Sequence, residues 1–327
     1  MPFTSVAIVG AGLAGLACAR TLAAHGVAAR LFDKGRAPGG RLATRRIELD
    51  GRSFGFDHGA QYLTARGAVF ASALDAAGAK PWIDETRRVG VPRMSAIPRA
   101  LADGLDLATA RHVAEIAGEP GAWRLRHLDA ALVRPGRPVP PDAAVAEDGP
   151  FDAVVLAVPA PQAVPLLAGP ATRLAEVIGA VRLAPCWTLM AAFPDRLPLP
   201  DTLRLTGGPI GWAARDSSKP GRDASAECWV VQAGPEWTRE HLERPAAEVA
   251  ALLLDALGKL AGGAVPAPLC AAAHRWRHAL VETPLGAPCL WDPALRIGAC
   301  GDWCIAPRAE AAADSGAALA AAMHAAP

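Results

Sequence analysis

The feature that most constrains the fold of this 327-residue chain is a glycine-rich turn near its N-terminus. Residues 6–9 form a short apolar run that predicts a buried parallel strand, and residues 13–25 predict the helix after it. Between them, Gly10 permits a tight turn, Gly12 lets the backbone approach a pyrophosphate, and Gly15 lets the helix pack on the strand. The pattern predicts a dinucleotide-binding unit, in which N–H groups at the helix start attract phosphates.

The next strand strengthens this prediction. Residues 27–32 form a second apolar run that ends at Asp33, where a carboxylate can accept hydrogen bonds from an adenosine ribose. A glycine turn by itself also occurs in α/β proteins that bind no nucleotide. The inference therefore depends on the strand, the helix and the acid occurring together.

Composition excludes several classes of function. The formal net charge is +1, so nothing indicates nucleic acid or an anionic membrane as a partner. No apolar run is long enough to cross a bilayer, and the first predicted strand begins at Ser5, so we expect a cytoplasmic protein. The seven cysteines include no C-x-x-C pair and predict reduced, mostly buried thiols. The histidines lack metal-ligand spacing, so we expect no metal site.

Two further stretches are candidates for ligand contact. Gly39, Gly40 and Arg41 belong to a loop whose backbone could lie flat against a ligand, with the guanidinium meeting an anion. The segment 57–66 places Gly59 and Ala60 among polar residues, which suggests backbone close to a planar group. Tyr62 in this segment is the only tyrosine, and its alternative is a place at the edge of the core.

The predicted fold class is α/β: a Rossmann-like cofactor-binding domain with a parallel sheet and helices, and an inserted α+β substrate domain with a mixed or antiparallel sheet. We assign residues 1–66, 94–160 and 270–327 to the first domain, and residues 67–93 and 161–269 to the second.

Patterns within the first domain predict particular elements. Residues 111–117 and 123–128 predict a hairpin, and the proline-rich residues 130–150 predict an exposed connection. Residues 151–158 are apolar on both faces and predict one central parallel strand.

The end of the chain favours FAD over NAD. Gly301 and Asp302 follow the last predicted strand, residues 295–300, and a final helix is predicted from about residue 310 to residue 323. Ligands lie at the carboxyl ends of parallel strands, so this aspartate could hold the polar chain of an extended cofactor. A helix start beyond it would stabilise the negative charge of a reduced flavin.

The motifs together resemble the bacterial renalases, FAD proteins of the amine-oxidase fold group. The resemblance extends from residue 6 to residue 316 and rests on these segments: G-A-G-L-A-G at 10–15, L-F-D-K at 31–34, G-G-R at 39–41, D-H-G-A-Q-Y-L-T-A-R at 57–66, S-S-K-P-G-R at 217–222, H-R-W at 274–276 and G-D-W at 301–303.

The resemblance implies a reaction. Bound FAD would oxidise the 2- and 6-dihydro isomers of NAD(P)H to NAD(P)+, and O2 would reoxidise the flavin to give hydrogen peroxide. A dihydropyridine gives up hydride readily because its ring becomes aromatic, so positioning over the flavin is sufficient. No Ser-His-Asp arrangement and no paired carboxylates occur in the sequence, which fits this chemistry.

The resemblance also implies site residues. Those assigned to non-covalent FAD are Gly10, Gly12, Leu13, Ala14, Gly15, Asp33, Lys34, Gly40, Arg41, Gly59, Ala60, Gln61, Tyr62, Val113, Gly301, Asp302 and Ser315. Those assigned to the substrate are Trp187, Trp212, Ser218, Lys219, Trp229 and Trp303, and those assigned to positioning the substrate during catalysis are Tyr62, Gln232 and Trp276.

These assignments have alternatives. Each tryptophan could instead pack in a core. Arg215, Lys219 and Arg222 could bind substrate phosphates or form an exposed charged loop. Gln232 stands where we associate the family with histidine, so a titrating role there is in doubt.

Two other functions stay open at this stage. The first is an amine oxidase or dehydrogenase of the same fold, and the second is a dinucleotide-binding module without turnover. The sequence does not reveal the oligomeric state.

Overall fold

The computed structural model of the chain describes residues 3–134, 137–263 and 265–325. The chain forms two compact units, the first comprising residues 1–40, 98–182 and 281–327 and the second residues 41–97 and 183–280. Residues 41–66, which are predicted above to belong to the first domain, thus lie in the second unit. The assignment of FAD and substrate to particular domains stays a prediction.

The strands of the described residues are β1 (Ser5–Val9), β2 (Ala28–Phe32), β3 (Arg45–Leu49), β4 (Arg52–Phe56), β5 (Lys80–Trp82), β6 (Asp84–Val89), β7 (Asp106–Ala108), β8 (Arg111–Ala117), β9 (Trp123–Asp129), β10 (Ala146–Phe151), β11 (Ala153–Leu156), β12 (Arg182–Phe193), β13 (Thr202–Arg204), β14 (Ile210–Arg215), β15 (Glu227–Ala233), β16 (Cys270–Thr283), β17 (Leu290–Asp292) and β18 (Ile297–Ala299). The α-helices of the same residues are α1 (Leu13–Ala24), α2 (Ala68–Ala76), α3 (Ala96–Ala102), α4 (Ala160–Leu167), α5 (Thr172–Ile178), α6 (Pro235–Glu240), α7 (Ala246–Leu260), α8 (Asp302–Ile305) and α9 (Ala309–Ala325). None of these helices is long and apolar enough to cross a bilayer.

The first unit is organised around a six-stranded sheet in the order β17-β18-β11-β1-β2-β7. Its strands pair in parallel except β17, which pairs antiparallel with β18 at the edge. Every residue of β11 is buried, as expected for a strand covered on both faces. The predicted Rossmann-like α/β fold is confirmed, and the carboxyl ends of β1, β2 and β18 lie at one edge of this sheet.

The glycines of the first unit allow two close backbone approaches. A Cβ at Gly15 would overlap the carbonyl oxygen of Gly10, and a Cβ at Gly316 would overlap that of Ala14. Helix α1 therefore packs on the β1 turn on one side and on α9 on the other. The role predicted for Gly15, close packing of helix on strand, matches this geometry.

A second sheet of the first unit corrects two predictions. The hairpin of β8 and β9 forms as predicted, but β10 pairs with β9, so the predicted connection at 130–150 contains a strand. The predicted strand 151–158 is likewise divided, since Phe151 ends β10 and Ala153 begins β11. The strand β10 tolerates Pro150 because it is an edge strand with an irregular register there. Pro135 and Gly136 lie outside the described residues.

The second unit contains a five-stranded sheet in the order β13-β14-β15-β12-β16, in which β13, β14, β15 and β12 pair antiparallel; the sequence predicts a mixed or antiparallel sheet. Helix α7 packs on one face of the sheet and buries Val249, Leu253 and Leu257. The opposite face packs against Phe54 and Phe56 of β4. The hairpins β3–β4 and β5–β6 and the helices α2 and α6 also belong to this unit.

Candidate functional site

The turn after β1 has the geometry of a phosphate site. Gly10 has a φ of +106°, and its N–H donates to the Phe32 carbonyl at 2.8 Å. Gly12 caps α1 without any side-chain hydrogen bond, and the first turn of the helix carries no acidic residue. A Cβ added at Gly12 would meet no heavy atom within 4 Å. The start of α1 is therefore open where the predicted pyrophosphate would approach, and Leu13 and Ala14 bring their N–H groups to it.

Asp33 and the loop that follows it complete this side of the turn. The two carboxylate oxygens of Asp33 each accept a backbone N–H at 2.6 Å, one from Ala11 and one from Gly35. Each oxygen keeps a further lone pair, so the carboxylate can still accept ribose hydroxyls. The loop returns to the turn, since Gly39 donates to the Ala11 carbonyl at 2.9 Å and Gly40 faces Gly12.

The turn after β18 lies at the same edge of the sheet. The N–H of Gly301 donates to the buried hydroxyl of Ser315 at 3.0 Å, which holds the turn against α9. Asp302 begins α8 and is buried. The indole of Trp303 donates to the Val158 carbonyl at 3.0 Å and is 1% exposed. This tryptophan thus braces the turn from within the first unit.

Two other predicted cofactor residues surround Asp33. Lys34 donates to the side-chain carbonyl of Gln162 at 3.1 Å, and Val113 is buried in β8. The main chain of Asp33 bonds Ala108 and Arg111, which lie just before Val113. With an open helix start, an acid at the end of β2 and a polar turn at the end of β18, the first unit fits the adenosine diphosphate half of FAD.

In the second unit, side chains from distant segments hold the backbone of residues 57–60. Gln232 donates to the Gly59 carbonyl at 2.7 Å, and Trp276 donates to the His58 carbonyl at 2.9 Å. Gln61 donates to both the Asp57 and Gly59 carbonyls. Of the three side chains predicted to position a substrate, Gln232 and Trp276 thus also position this segment.

Arg41 supports the same segment. Its carbonyl accepts the N–H of Ala60 at 2.8 Å, and its guanidinium donates to the Ala279 carbonyl at 3.0 Å. A Cβ at Gly59 would overlap the Arg41 carbonyl. The segment therefore requires glycine at position 59.

A buried ionic cluster lies beneath this segment. The ammonium of Lys219 lies 2.5 Å from Asp216, 3.3 Å from Asp57 and 3.3 Å from the side-chain oxygen of Gln61. Arg222 adds a second cation at 2.5 Å from Asp57. Lys219, Asp57 and Asp216 are at most 2% exposed, so each charge depends on the others for compensation.

The pKa values of the two carboxyl groups in the cluster are shifted in opposite directions. Burial alone would raise the pKa of Asp57, but Lys219, Arg222 and the hydrogen bond from Thr44 lower it to about 2. Burial raises the pKa of Asp216 above its ordinary value, and repulsion from Asp57 adds to this. Asp57 is accordingly ionised at neutral pH, where it compensates the nearby cations.

An aromatic pair lies next to the segment. The rings of Tyr62 and Trp212 have centroids 5.8 Å apart and an angle of 59° between them. Trp212 is the direct cross-strand partner of Gln232, so these two side chains share a face of the sheet. The guanidinium of Arg87 lies 5.2 Å from the Tyr62 ring, and that of Arg204 lies 5.1 Å from the Trp212 ring.

Two histidines near Trp276 are kept neutral. Burial lowers the pKa of His58 to about 4, and electrostatic repulsion from His274 and from Arg45 adds to this effect. Burial and Arg45 lower the pKa of His274 to about 4 as well. Nδ1 of His58 is buried and has no hydrogen-bond partner among the described residues.

Several predicted substrate residues lie in the core instead. Trp187 and Trp229 are at most 2% exposed and pack in the cluster beneath α7, which favours their core-packing alternative. Ser218 accepts a hydrogen bond from Trp82 and donates to the Arg215 carbonyl. Because Arg215 and Lys219 are buried, the alternative of an exposed charged loop is wrong.

Sequence reasoning missed some of the residues that build these sites. Asp216 lies directly before the Ser-Ser-Lys segment and could have been noted as its counter-charge. Arg87 and Arg204 gave no local signal, because their approach to the two rings depends on how strands distant in sequence pair.

Comparisons with known proteins agree with this description. Residues 8–79 match the family model of the NAD(P)-binding Rossmann-like domain, and residues 83–289 match that of the flavin containing amine oxidoreductases.

The structure is similar to three oxidases at 13% sequence identity, a level at which the likeness concerns the fold. A protein assigned as a protoporphyrinogen oxidase from Exiguobacterium sp. 255-15 matches with a TM-score of 0.73, and the match covers 99% of each chain. A redesigned putrescine oxidase matches with a TM-score of 0.71 over 98% of each chain. Cyclohexylamine oxidase from Brevibacterium oxydans IH-35A matches with a TM-score of 0.69 over 99% of each chain.

The open space at Gly12 leads to a first prediction. Gly12→Val should retain the stability of the apoprotein within about 1 kcal/mol, since the residue has an extended backbone and an added side chain meets no protein atom. It should nevertheless purify with little flavin, because the side chain would occupy the pyrophosphate path. Flavin absorbance per protein and urea unfolding measure the two effects. Gly169→Val, also at an open position, is the control. Normal flavin content in Gly12→Val would contradict the assignment.

The charge state of Asp57 leads to a second prediction. Because folding lowers the pKa of this carboxyl from 3.8 to about 2, its ionised form stabilises the folded state above about pH 4. That contribution, of about 2 kcal/mol, is lost as the pH falls from 4 to 2. Asp57→Asn should therefore be less stable at pH 7 and lose less further stability on acidification.

The measurement is urea unfolding between pH 7 and pH 2.5. Asp255→Asn removes an exposed carboxylate paired with Lys259 and should follow the wild type. An acid dependence in Asp57→Asn as steep as that of the wild type would refute the role of this carboxylate.

Proposed function

This chain belongs to the family of flavin-containing amine oxidoreductases and has FAD as its cofactor, and from this premise we propose that it oxidises the 2- and 6-dihydro isomers of NAD(P)H. The products would be NAD(P)+ and, with O2 as the final acceptor, hydrogen peroxide. The cofactor would be held without a covalent bond.

The proposed reaction requires little acid–base chemistry from the side chains of the protein. When bound, FAD supplies the acceptor for the hydride of the substrate. Gly12, the start of α1 and Asp33 would hold its adenosine diphosphate half, and Gly301 and Asp302 its polar chain. The substrate regains an aromatic ring, so the side chains need only orient it and exclude water. His58 and His274 are neutral, and the two buried carboxyl groups are engaged with Lys219.

The observation that carries the choice of substrate is the charge around the aromatic pair. Tyr62 and Trp212 each have a guanidinium packed against the ring, from Arg87 and Arg204 respectively. Ring faces that would attract an alkylammonium group are thus already occupied by cations. A dinucleotide carries negative phosphates, which Arg204 would attract, whereas its charge would repel a protonated amine. Arg87 is paired with Asp84 at 2.5 Å, so its charge is already compensated.

Two polar groups near the pair suit a planar amide. Nε1 of Trp212 is buried and has no hydrogen-bond partner among the described residues. Gln232 uses its amide N–H on Gly59 and keeps its side-chain oxygen as an acceptor. A carboxamide offers both a donor and an acceptor, so these two side chains would orient a nicotinamide. This role requires no titrating group, consistent with glutamine at position 232.

The second candidate function is oxidation of amines. It is favoured by the family match and by the presence of an aromatic pair in the second unit. The charge of Arg204 argues against it for the reason given above. The two candidates therefore differ in the charge of the substrate that the protein selects.

Anaerobic titration of the holoenzyme distinguishes the candidates. We expect 2- or 6-dihydroNAD(P) to bleach the flavin absorbance stoichiometrically, and aliphatic and aromatic amines to leave it unchanged. Bleaching by amines alone would support the second candidate. Bound FAD that neither class bleaches would indicate a binding protein without turnover.

Arg204→Gln should raise the KM for dihydronicotinamide dinucleotides about tenfold, the size of one lost charge-assisted contact of about 1.4 kcal/mol. Its kcat should change little, because the guanidinium acts on binding. Arg277→Gln removes the same charge from the second unit, where the side chain contacts Glu243, and is the matched control. Equal KM values for the two variants would contradict a role for Arg204 in substrate recognition. The measurement is initial-rate kinetics at fixed ionic strength.

A further inference from the structure

Four thiols of the first unit lie near one another. They are Cys18 in α1, Cys289 before β17, Cys300 after β18 and Cys304 in α8. The charge on any one of these sulfurs would affect its neighbours, Cys300 being influenced by the other three. None of them takes part in the site described above. Their arrangement singles out one pair.

Strand register places Cys289 opposite Cys300. In the antiparallel pair of β17 and β18, Leu290 faces Ala299 and Trp291 faces Gly298. Continuing this register by one residue brings the two cysteines directly across from each other.

Cys289 and Cys300 occupy the type of cross-strand position at which the two Cα atoms lie closer together. The N–H of Cys300 donates to the Leu156 carbonyl of β11 at 3.0 Å, on the side away from β17. Cys300 and Cys289 therefore form a non-hydrogen-bonded pair, whose Cα atoms lie about 4.5 Å apart. Trp291 and Gly298 form the next pair of the same type along the two strands. They also lie close together, since a Cβ at Gly298 would lie 3.0 Å from the Trp291 ring. A disulfide requires a Cα separation of about 4.4–6.8 Å, which this position provides.

The hairpin that joins the two strands maintains this register. The carboxylate of Asp292 accepts the N–H groups of Ala294 and Leu295 at 3.0 and 2.9 Å. A turn closed by its own side chain resists slippage of the strands.

Another pair of thiols provides a contrast in the second unit. Cys228 in β15 faces Ala192 of β12, and Cys270 begins β16 on the other side of β12. Two strand spacings of about 4.8 Å separate these thiols, which exceeds the reach of a disulfide. Nearness of sulfurs alone therefore does not make a pair that can be oxidised.

We propose that Cys289 and Cys300 are a modification site, at which hydrogen peroxide converts the two thiols into a cross-strand disulfide. The thiolate of Cys289, which is half-buried, attacks one peroxide oxygen, the O–O bond breaks, and hydroxide leaves. The sulfur, oxidised by two electrons, becomes a sulfenic acid. The Cys300 sulfur then forms the S–S bond, the S–O bond breaks, and the hydroxyl leaves with the thiol proton as water. Two thiols and one peroxide thus give one disulfide and two waters.

The pair of Cys289 and Cys300 lies next to the turn assigned to the cofactor. Cys300 immediately precedes Gly301 and Asp302, the turn assigned to the cofactor's polar chain. A disulfide would join this turn to β17, the edge strand of the sheet. Oxidation would therefore stabilise the edge of the sheet next to the cofactor turn.

The reaction should depend on pH. Burial raises the pKa of Cys289, so its reactive thiolate is scarce at neutral pH and becomes more abundant as the pH rises. The oxidation rate should increase accordingly.

The experiment treats the purified holoenzyme with added hydrogen peroxide, so its outcome does not depend on which substrate the enzyme oxidises. Remaining thiols are then alkylated, and the digested protein is analysed by mass spectrometry with and without a thiol reductant. We expect one reductant-sensitive crosslink, joining the peptides that contain Cys289 and Cys300, together with a raised Tm. The crosslink should form faster at pH 9 than at pH 7.

Variants sharpen the test. Cys289→Ser and Cys300→Ser should each abolish the crosslink and the rise in Tm, whereas Cys270→Ser should retain both. A crosslink from Cys289 to Cys18 or Cys304 would overturn the assigned pairing. Sulfinic acid at Cys289 with no crosslink in the wild type would overturn the proposal altogether.

Discussion

The structure depends on backbone contacts that exist because particular residues lack a Cβ. Helix α1 meets the Gly10 carbonyl at Gly15 and is met by Gly316 of α9 at the Ala14 carbonyl. Overpacking of this kind is costly, so neither position accepts a larger residue without movement of the backbone. The position of α1 against β1 in turn determines where its N-terminus, and with it the open turn at Gly12, lies. The geometry of the turn proposed to bind the cofactor thus follows from packing as much as from the chemistry of any side chain.

In the second unit, hydrogen bonds from side chains hold the irregular segment 57–60 in place. The carbonyls of residues 57–59 accept bonds from Gln61, Gln232 and Trp276, and none of these donors is charged. The charges lie beneath, where Lys219 compensates Asp57 and Asp216. Removing one member would leave a buried charge without its partner, which is why such clusters behave as units. The face that carries Tyr62 and Trp212 is thereby built on a support of fixed geometry.

The two units also differ in how they treat charge. The first offers backbone N–H groups at a helix start, whereas the second presents the guanidinium group of Arg204 beside the Trp212 ring. The family match identifies the flavin, and the proposal of a dinucleotide substrate rather than an amine rests on the charge of Arg204.

Sequence alone determined the strand, turn and helix around Gly10, because apolar periodicity and the conformational freedom of glycine act over a few neighbouring residues. It also placed Asp33 and Gly301 at strand ends, and it located the hairpin of β8 and β9, for the same reason. It assigned residues 146–150 of β10 to an exposed connection and Phe151 to the following strand, since a proline in an edge strand resembles a loop until the pairing is known.

Only the tertiary structure decided what depends on residues far apart in the chain. Lys219 contacts Asp57 across 162 positions of the chain. The segment for which the sequence left phosphate binding and an exposed charged loop open is therefore part of a buried ionic cluster. Trp187 and Trp229 lie in the core, whereas Trp212 contacts Tyr62, and the side chains of two arginines lie over these two rings. The pairing of Cys289 with Cys300 likewise appeared only with the register of β17 and β18. Local pattern cannot supply these facts, because each is set by which strands and loops pack together.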